Sequence, residues 1–270
     1  MRITILANRD LASNFALNIL TGLLEGHELT VFLSDRVGKS SNNHASLKHL
    51  EICEQSLFLK FLSPSDSKRG RLLLSFDELS QERGCSVETL NKINTGVGFN
   101  RFVATNPELV VTIRYGVILK DPVISVPKFG AINLHSGLLP DYKGVMATFR
   151  AMLNKEATIG TTLHYIRDSA IDQGPVIGTT QLSVNEQKSY LWHVISLYPD
   201  GCGLIERSVA AIDCNGGIDA IDQTSRGHYY TFPTDSELRE FEKSGLKLFD
   251  GNEILELVEE YFETCRQVYD

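Results

Sequence analysis

The sequence has few cysteines, no long apolar run and no excess of basic residues, and each shortage removes a class of protein. Its five cysteines, at positions 53, 85, 202, 214 and 265, are odd in number, widely spaced and free of Cys-x-x-Cys pairs, so neither a disulfide framework nor a zinc site is indicated. A reducing, cytoplasmic setting fits that usage. The opening Met-Arg-Ile-Thr-Ile-Leu-Ala-Asn is too brief an apolar stretch for a signal sequence or a membrane span, and no membrane partner is expected. With 26 Lys and Arg against 34 Asp and Glu and a net charge of -8, the chain lacks the clustered cations that neutralise nucleic-acid phosphates. Lys68, Arg69 and Arg71 lie close together, but in a stretch that reads as a solvated loop. The first strand-to-helix turn, Ala7-Asn8-Arg9-Asp10, lacks the Gly-x-Gly-x-x-Gly with which a backbone approaches a pyrophosphate, so a nicotinamide or flavin is not supported.

What is present is enough for a substantial core: 270 residues, 42% of them hydrophobic. Short apolar runs alternate with helical periods. Residues 2–7 and 29–33 read as strands around a helix over 10–25 that starts near Asp10, and 109–113 reads as another buried strand. This alternation predicts an α/β, Rossmann-like, mostly parallel sheet with helices on both faces. Residues 76–83, 86–92 and 98–105 read as short helices, and 39–54 as a loop entering a helix. Ser63 to Gly70 has loop chemistry. Met146 to Asn154 predicts a helix, followed by strands over 158–166 and 174–184. Residues 186–213 form a long helical pattern with a break expected around Pro199-Asp-Gly, and helices are expected over 234–243 and 251–264. A domain over 1–185 followed by a helical extension over 186–270 is the expected organisation.

The most informative stretch runs from Gly130 to Gly144, Gly-Ala-Ile-Asn-Leu-His-Ser-Gly-Leu-Leu-Pro-Asp-Tyr-Lys-Gly. Strand alternation puts Asn133 and His135 on one face and Ile132 and Leu134 on the other. An amide and an imidazole side by side suit a carbonyl oxygen that becomes negative during a reaction. Further on comes Asp168-Ser-Ala-Ile-Asp172-Gln-Gly-Pro175, a loop carrying two carboxylates between apolar runs. His164, just before that loop, reads as a structural residue. A metal held by His135, His164 and Asp172 has no His-x-x-x-His or Cys partner to support it.

These elements, in this order, resemble the folate-dependent formyltransferase family, whose members carry an Asn-x-His strand, a Leu-Leu-Pro-x-x-x-Gly turn and an Asp-x-Gly loop. The resemblance covers roughly residues 1–185 and is closest in layout to the sugar N-formyltransferases. It implies a catalytic triplet of Asn133, His135 and Asp172, with 10-formyltetrahydrofolate as co-substrate and no metal. It also implies a folate pocket lined by Tyr115, Gly116, Val117, Ile118, Leu119 and Asp168. Two departures stand out: Gly137 where many members have Ser, and Lys143 where Arg is common.

By the same resemblance, a formyl group passes to a primary amine of a small acceptor, with a nucleotide-linked amino sugar as the leading expectation. Lys143 and Arg150 are then candidates for the acceptor's phosphates, and Tyr229 and Tyr230 for stacking on its base. Methionyl-tRNA, an amino-acid-derived amine, hydrolysis of the donor, and a folate-binding module without turnover are the alternative readings. A homodimer is left open.

Overall fold

Ile5, Val31, Val111 and Ile132 alternate along their strands with Leu6, Phe32, Val110 and Ala131, and the two sets are buried in different apolar clusters. A strand whose successive residues are both buried must be covered on both faces, which is the pattern of a parallel sheet inside two helical layers. The computed structural model describes residues 1–35, 44–62, 73–224 and 226–269. The expected Ser63–Gly70 loop, the basic cluster at Lys68, Arg69 and Arg71, and the start of the loop expected from residue 39 fall outside the described residues.

The elements in chain order are β1 (Arg2–Asn8), α1 (Leu11–Leu23), β2 (Glu28–Ser34), α2 (Ala45–Leu62), α3 (Phe76–Glu82), β3 (Ser86–Thr89), α4 (Gly96–Ala104), β4 (Leu109–Ile113), α5 (Asp121–Ile124), β5 (Ala131–His135), β6 (Lys143–Gly144), α6 (Ala147–Leu153), β7 (Thr158–Ile166), β8 (Val176–Ser183), α7 (Tyr190–Ser196), α8 (Tyr198–Asn215), β9 (Tyr229–Tyr230), α9 (Asp235–Lys243) and α10 (Gly251–Tyr269). Among the described residues, seven strands form one sheet in the order β3-β2-β1-β4-β5-β7-β8. The first five are parallel, and β7 and β8 are added antiparallel. The fold is thus α/β and Rossmann-like, with a mostly parallel sheet.

Two sequence expectations are corrected. The segment expected as a helix over 86–92 contains β3, a largely exposed edge strand held in register by β2. Its side chains give no apolar alternation, so backbone pairing decides what periodicity could not. The long pattern over 186–213 breaks at Leu197 rather than at Pro199, which sits in the first turn of α8, where a missing N–H costs no helical hydrogen bond. Residues beyond the expected boundary at 185/186 also enter the core. Leu191, Val194, Ile195, Ile205 and Val209, together with Leu238, Phe241, Ile254 and Val258 beyond them, are buried in the same cluster as Ile3 and Ile5. The sheet needs a covering layer on that face, and the C-terminal helices supply much of it.

At the point where strand order reverses, between β1 and β4, Arg114 occupies the crevice with a left-handed backbone, φ 57°. Its Nε donates to Asp10 Oδ2 at 3.0 Å, and a guanidinium nitrogen lies 3.5 Å from Glu54 Oε1. Asp10 also accepts from Ser13 N at 2.7 Å, so the N-terminus of α1, the usual anion site of such folds, is taken by the chain's own carboxylate.

Burial pushes the Glu54 carboxyl up, Arg114 pulls it down, and Asp10 and Glu51 push it up again, leaving it at about 7 against an ordinary 4.5. A carboxyl raised on folding contributes stability that is complete below its unfolded value and is lost as pH rises through the folded one. Glu54→Gln should therefore gain melting temperature relative to the parent protein on going from about pH 5 to about pH 8. Parallel melting curves across that interval would contradict the assignment.

Candidate active site

Alternation along β5 sends Ile132 and Leu134 into the core and turns Asn133 and His135 to the opposite face. Each polar group is then oriented by a firm contact. Thr112, paired with Asn133 across β4 and β5, donates its hydroxyl to Asn133 Oδ1 at 2.6 Å, which leaves the amide N–H groups pointing into the site. His135 Nε2 lies 2.6 Å from the Tyr142 carbonyl, which can only accept, so this nitrogen carries the proton. Its Nδ1 lies 3.5 Å from Asp172 Oδ2. Both ring nitrogens thus face acceptor oxygens, and both can donate only in the imidazolium form.

Asp172 reaches this point from the loop between β7 and β8 with a left-handed φ of 54°. Gly144 donates its N–H to Asp172 Oδ2 at 2.7 Å. Burial pushes the Asp172 carboxyl up, but the charge on His135, the hydrogen bond and charge of His164 and the Gly144 N–H outweigh it, and the group rests at about 2. Gln223 clamps the loop from outside, its amide nitrogen donating to the Asp172 carbonyl at 2.9 Å and to the Gly174 carbonyl at 2.8 Å.

His164 is the residue the sequence reading set aside as structural. Antiparallel register places it directly opposite Asn133, and it is only 2% exposed. Its Nδ1 donates to the Tyr165 carbonyl at 2.9 Å, and its Nε2 lies 3.1 Å from Asn133 Nδ2. His164 Nε2 and Asn133 Nδ2 each lie 3.4 Å from Asp172 Oδ1. Asp172 thus sits at the centre of three long contacts, to Asn133, His135 and His164, inside a frame of short ones. Contacts of 3.4–3.5 Å are weak and exchangeable, as in a site that tightens only around its substrate. Among the described residues no group of three or more His, Cys, Asp or Glu is arranged to hold a metal ion.

The remaining expected residues divide. Lys143 is buried on β6, next to the Gly144 that binds Asp172, and β6 pairs with Tyr229 and Tyr230 on β9. Tyr229 is exposed. Arg150, expected to bind phosphate, is instead buried, ion-paired with Glu237 and bonded to the Thr231 carbonyl at 3.1 Å. Tyr230, expected to stack on a base, lies against the Tyr142 ring at 5.9 Å and under the Arg150 guanidinium at 5.2 Å. These contacts hold the β6–β9 ribbon to α6 and α9.

Residues 115–119 turn away from β5 across the ends of β1 and β2. Gly116 donates its N–H to the Ser34 hydroxyl oxygen at 2.9 Å, Tyr115 donates its hydroxyl to the Leu90 carbonyl, and Leu119 is buried while Val117 and Ile118 keep accessible apolar surface. Asp168 is exposed and closes its own turn by accepting from Ala170 N at 2.7 Å. At Gly137 a Cβ would stand 2.8 Å from His135 Nε2 and 2.7 Å from the Tyr142 carbonyl oxygen, so the departure from Ser leaves room for the ring and its acceptor.

Residues 99–191, which contain Asn133, His135, His164 and Asp172, match the formyl transferase family model. Over those residues the chain is similar to the formyl transferases. A methionyl-tRNA formyltransferase from Kosmotoga olearia is 30% identical over 133 residues, 48% of this chain and 42% of that protein. One from Thermodesulfovibrio yellowstonii is 26% identical over 196 residues, 72% of this chain and 59% of that protein. The chain thus spans about half the length of these curated relatives. The fold is similar to that of an N-formyltransferase from Helicobacter canadensis solved with folinic acid and dTDP-3-aminofucose, at a TM-score of 0.54 and 18% identity over 92% of this chain and 84% of that one. The polar cluster lies at the end of β5, outside the carboxyl ends of the parallel strands, where open α/β sheets bind ligands.

Proposed function

We propose that this protein transfers a formyl group from 10-formyltetrahydrofolate to the primary amine of a small acceptor, in the leading reading a nucleotide-linked amino sugar. The observation that carries the reading is the convergence of Asn133, His135 and Asp172 within 3.5 Å at one strand end, inside the stretch that is similar to the formyl transferases.

In the reaction the amine attacks the formyl carbon, and the carbonyl oxygen takes up negative charge. An Asn133 N–H released from its long contact to Asp172 donates to that oxygen, and the His135 ring supplies positive charge beside it. Asp172, ionised and ringed by donors, accepts the proton from the amine as the new C–N bond forms. That proton passes to N10 of the folate as the old C–N bond breaks. The short contacts from Thr112, the Tyr142 carbonyl and Gly144 fix the orientation of the three groups before substrate arrives. The apolar surface at Val117 and Ile118 would take the pterin, with Asp168 and its turn as the opposite wall.

The acceptor reading is supported by the acidic balance of the chain and by exposed Tyr229 beside Lys143. It is also supported by the sugar-nucleotide ligand of the Helicobacter canadensis structure. Methionyl-tRNA is the second reading, because the curated relatives act on it by name.

A competition assay with one donor separates them: methionyl-tRNA, nucleotide-linked amino sugars and amino-acid-derived amines are offered at equal concentration, and tetrahydrofolate release and formylated product are followed. The nucleotide-linked sugar amine should be formylated preferentially. Preference for the tRNA would overturn the acceptor reading, and tetrahydrofolate release without any formylated amine would replace transfer by hydrolysis.

A further inference from the structure

Against the outer side of the Asp172 loop lies a pocket of about 370 Å³ lined by Lys143, Gln173, Gln223, Thr224 and Arg226. Among the described residues no carboxylate lines it. In a chain with 34 acidic and 26 basic residues, two cations sharing a pocket without an acid between them is an uneven local balance.

Lys143 is 4% exposed, and its ammonium donates to the Arg226 carbonyl at 2.8 Å. An ammonium has three N–H donors, and a buried charge held by a neutral carbonyl alone is costly to keep. No ion pair involves Lys143 or Arg226 among the described residues. Stability therefore does not account for Lys143.

A second observation points the same way. Gln223 spends both bonds of its amide nitrogen on the Asp172 and Gly174 carbonyls, which fixes its orientation, and its Oε1 is buried with no hydrogen-bond partner among the described residues. The pocket thus offers two cations for an anion and one acceptor for a hydroxyl or amide beside it. It also shares its walls with the site. Lys143 precedes the Gly144 that binds Asp172, Gln173 follows Asp172, and Gln223 holds the Asp172 carbonyl.

We propose that this pocket receives an anionic group of the amine acceptor, a phosphate or a carboxylate, held between Lys143 and Arg226, with a neighbouring hydroxyl donating to Gln223 Oε1. The assignment rests on the formyl-transfer reading, since it is the acceptor's amine that Asp172 deprotonates. It moves the anion from the expected Lys143–Arg150 pair to Lys143 and Arg226, because Arg150 is neutralised by Glu237. Anchoring one residue away from Asp172 would let acceptor binding order the loop that carries the carboxylate.

The test needs no turnover. Inorganic phosphate, inorganic pyrophosphate and citrate are titrated calorimetrically into the full chain and into Arg226→Ala and Lys143→Met, without folate. At least one probe should bind the parent protein and bind each variant about tenfold or more weakly, the loss usual for a charge-assisted contact. Preference for pyrophosphate over citrate identifies a phosphate source, and the reverse a carboxylate. Because Arg226 is exposed, Arg226→Ala should fold even if Lys143→Met does not. Equal affinity of Arg226→Ala and parent for every probe, or no binding to the parent, overturns the pocket. Either result leaves formyl transfer itself to the competition assay, where loss of all tetrahydrofolate release would instead remove the reading beneath it.

Discussion

His135→Ala and Asp172→Asn are each expected to lower turnover by roughly two to four orders of magnitude, the usual contribution of an oxyanion-stabilising or proton-transferring group. Asp172→Asn is the sharper of the two. The substituted side chain keeps its size and can still accept the Gly144 N–H, while the charge that faces His135, Asn133 and His164 is gone. Because the carboxyl rests at about 2, it is ionised throughout the neutral range, and the deficit should be the same from about pH 5 to about pH 8. Its contribution to folding has the sign of a depressed acid: present above the ordinary 3.8 and lost as pH falls toward 2. The measurement is steady-state tetrahydrofolate release by purified variants whose circular dichroism matches the parent. Near-parental turnover in either variant would remove the residue from the reaction.

Gly174→Ala is expected to reduce turnover by about a hundredfold or more, although residue 174 touches no substrate in the proposed reaction. A Cβ there would stand 1.7 Å from the Tyr165 carbonyl oxygen and 2.7 Å from its carbon. Those atoms are backbone, tied into β7 beside the β-bulge at Leu163/His164, and they cannot yield as the tip of a flexible side chain would. The loop must therefore move, and it carries Asp172 two residues earlier and the Gly174 carbonyl that Gln223 holds. A displacement near an ångström at a catalytic group is enough for a loss of this size. Gly217→Ala is the control, since nothing lies within 4 Å of a Cβ there and activity should be kept. Full activity in Gly174→Ala would show that the loop tolerates displacement and that Asp172 does not need its observed position.

Much of the site was legible from spacing. Asn133 and His135 at i and i+2 must share a face of any strand, and Asp168 to Pro175 read as a loop with two carboxylates between apolar runs. The strand runs beginning at Ile3, Leu29 and Leu109 announced a buried parallel sheet because they are apolar on both faces. The edge strand over Ser86–Thr89 was not legible, since its side chains are largely exposed and only pairing with β2 makes it a strand.

His164 could not be assigned from the sequence because its role depends on antiparallel register: one residue of slip would turn it to the other face, and no local signal states which register is adopted. Arg150 and Lys143 illustrate the same limit for charge. Both read as free cations near the motif, but Glu237 reaches Arg150 from 87 residues away, while among the described residues Lys143 meets the carbonyl of Arg226 and no carboxylate. The sequence by itself determined the strand that presents Asn133 and His135, a loop with two carboxylates, and the sheet that joins them, because each follows from short-range periodicity and backbone sterics, while the choice of Asp172 within that loop came from the family resemblance. Only the tertiary structure decided that His164 and Gln223 complete the site and which cation stays uncompensated, because burial and charge pairing are settled by residues that meet in space from distant parts of the chain.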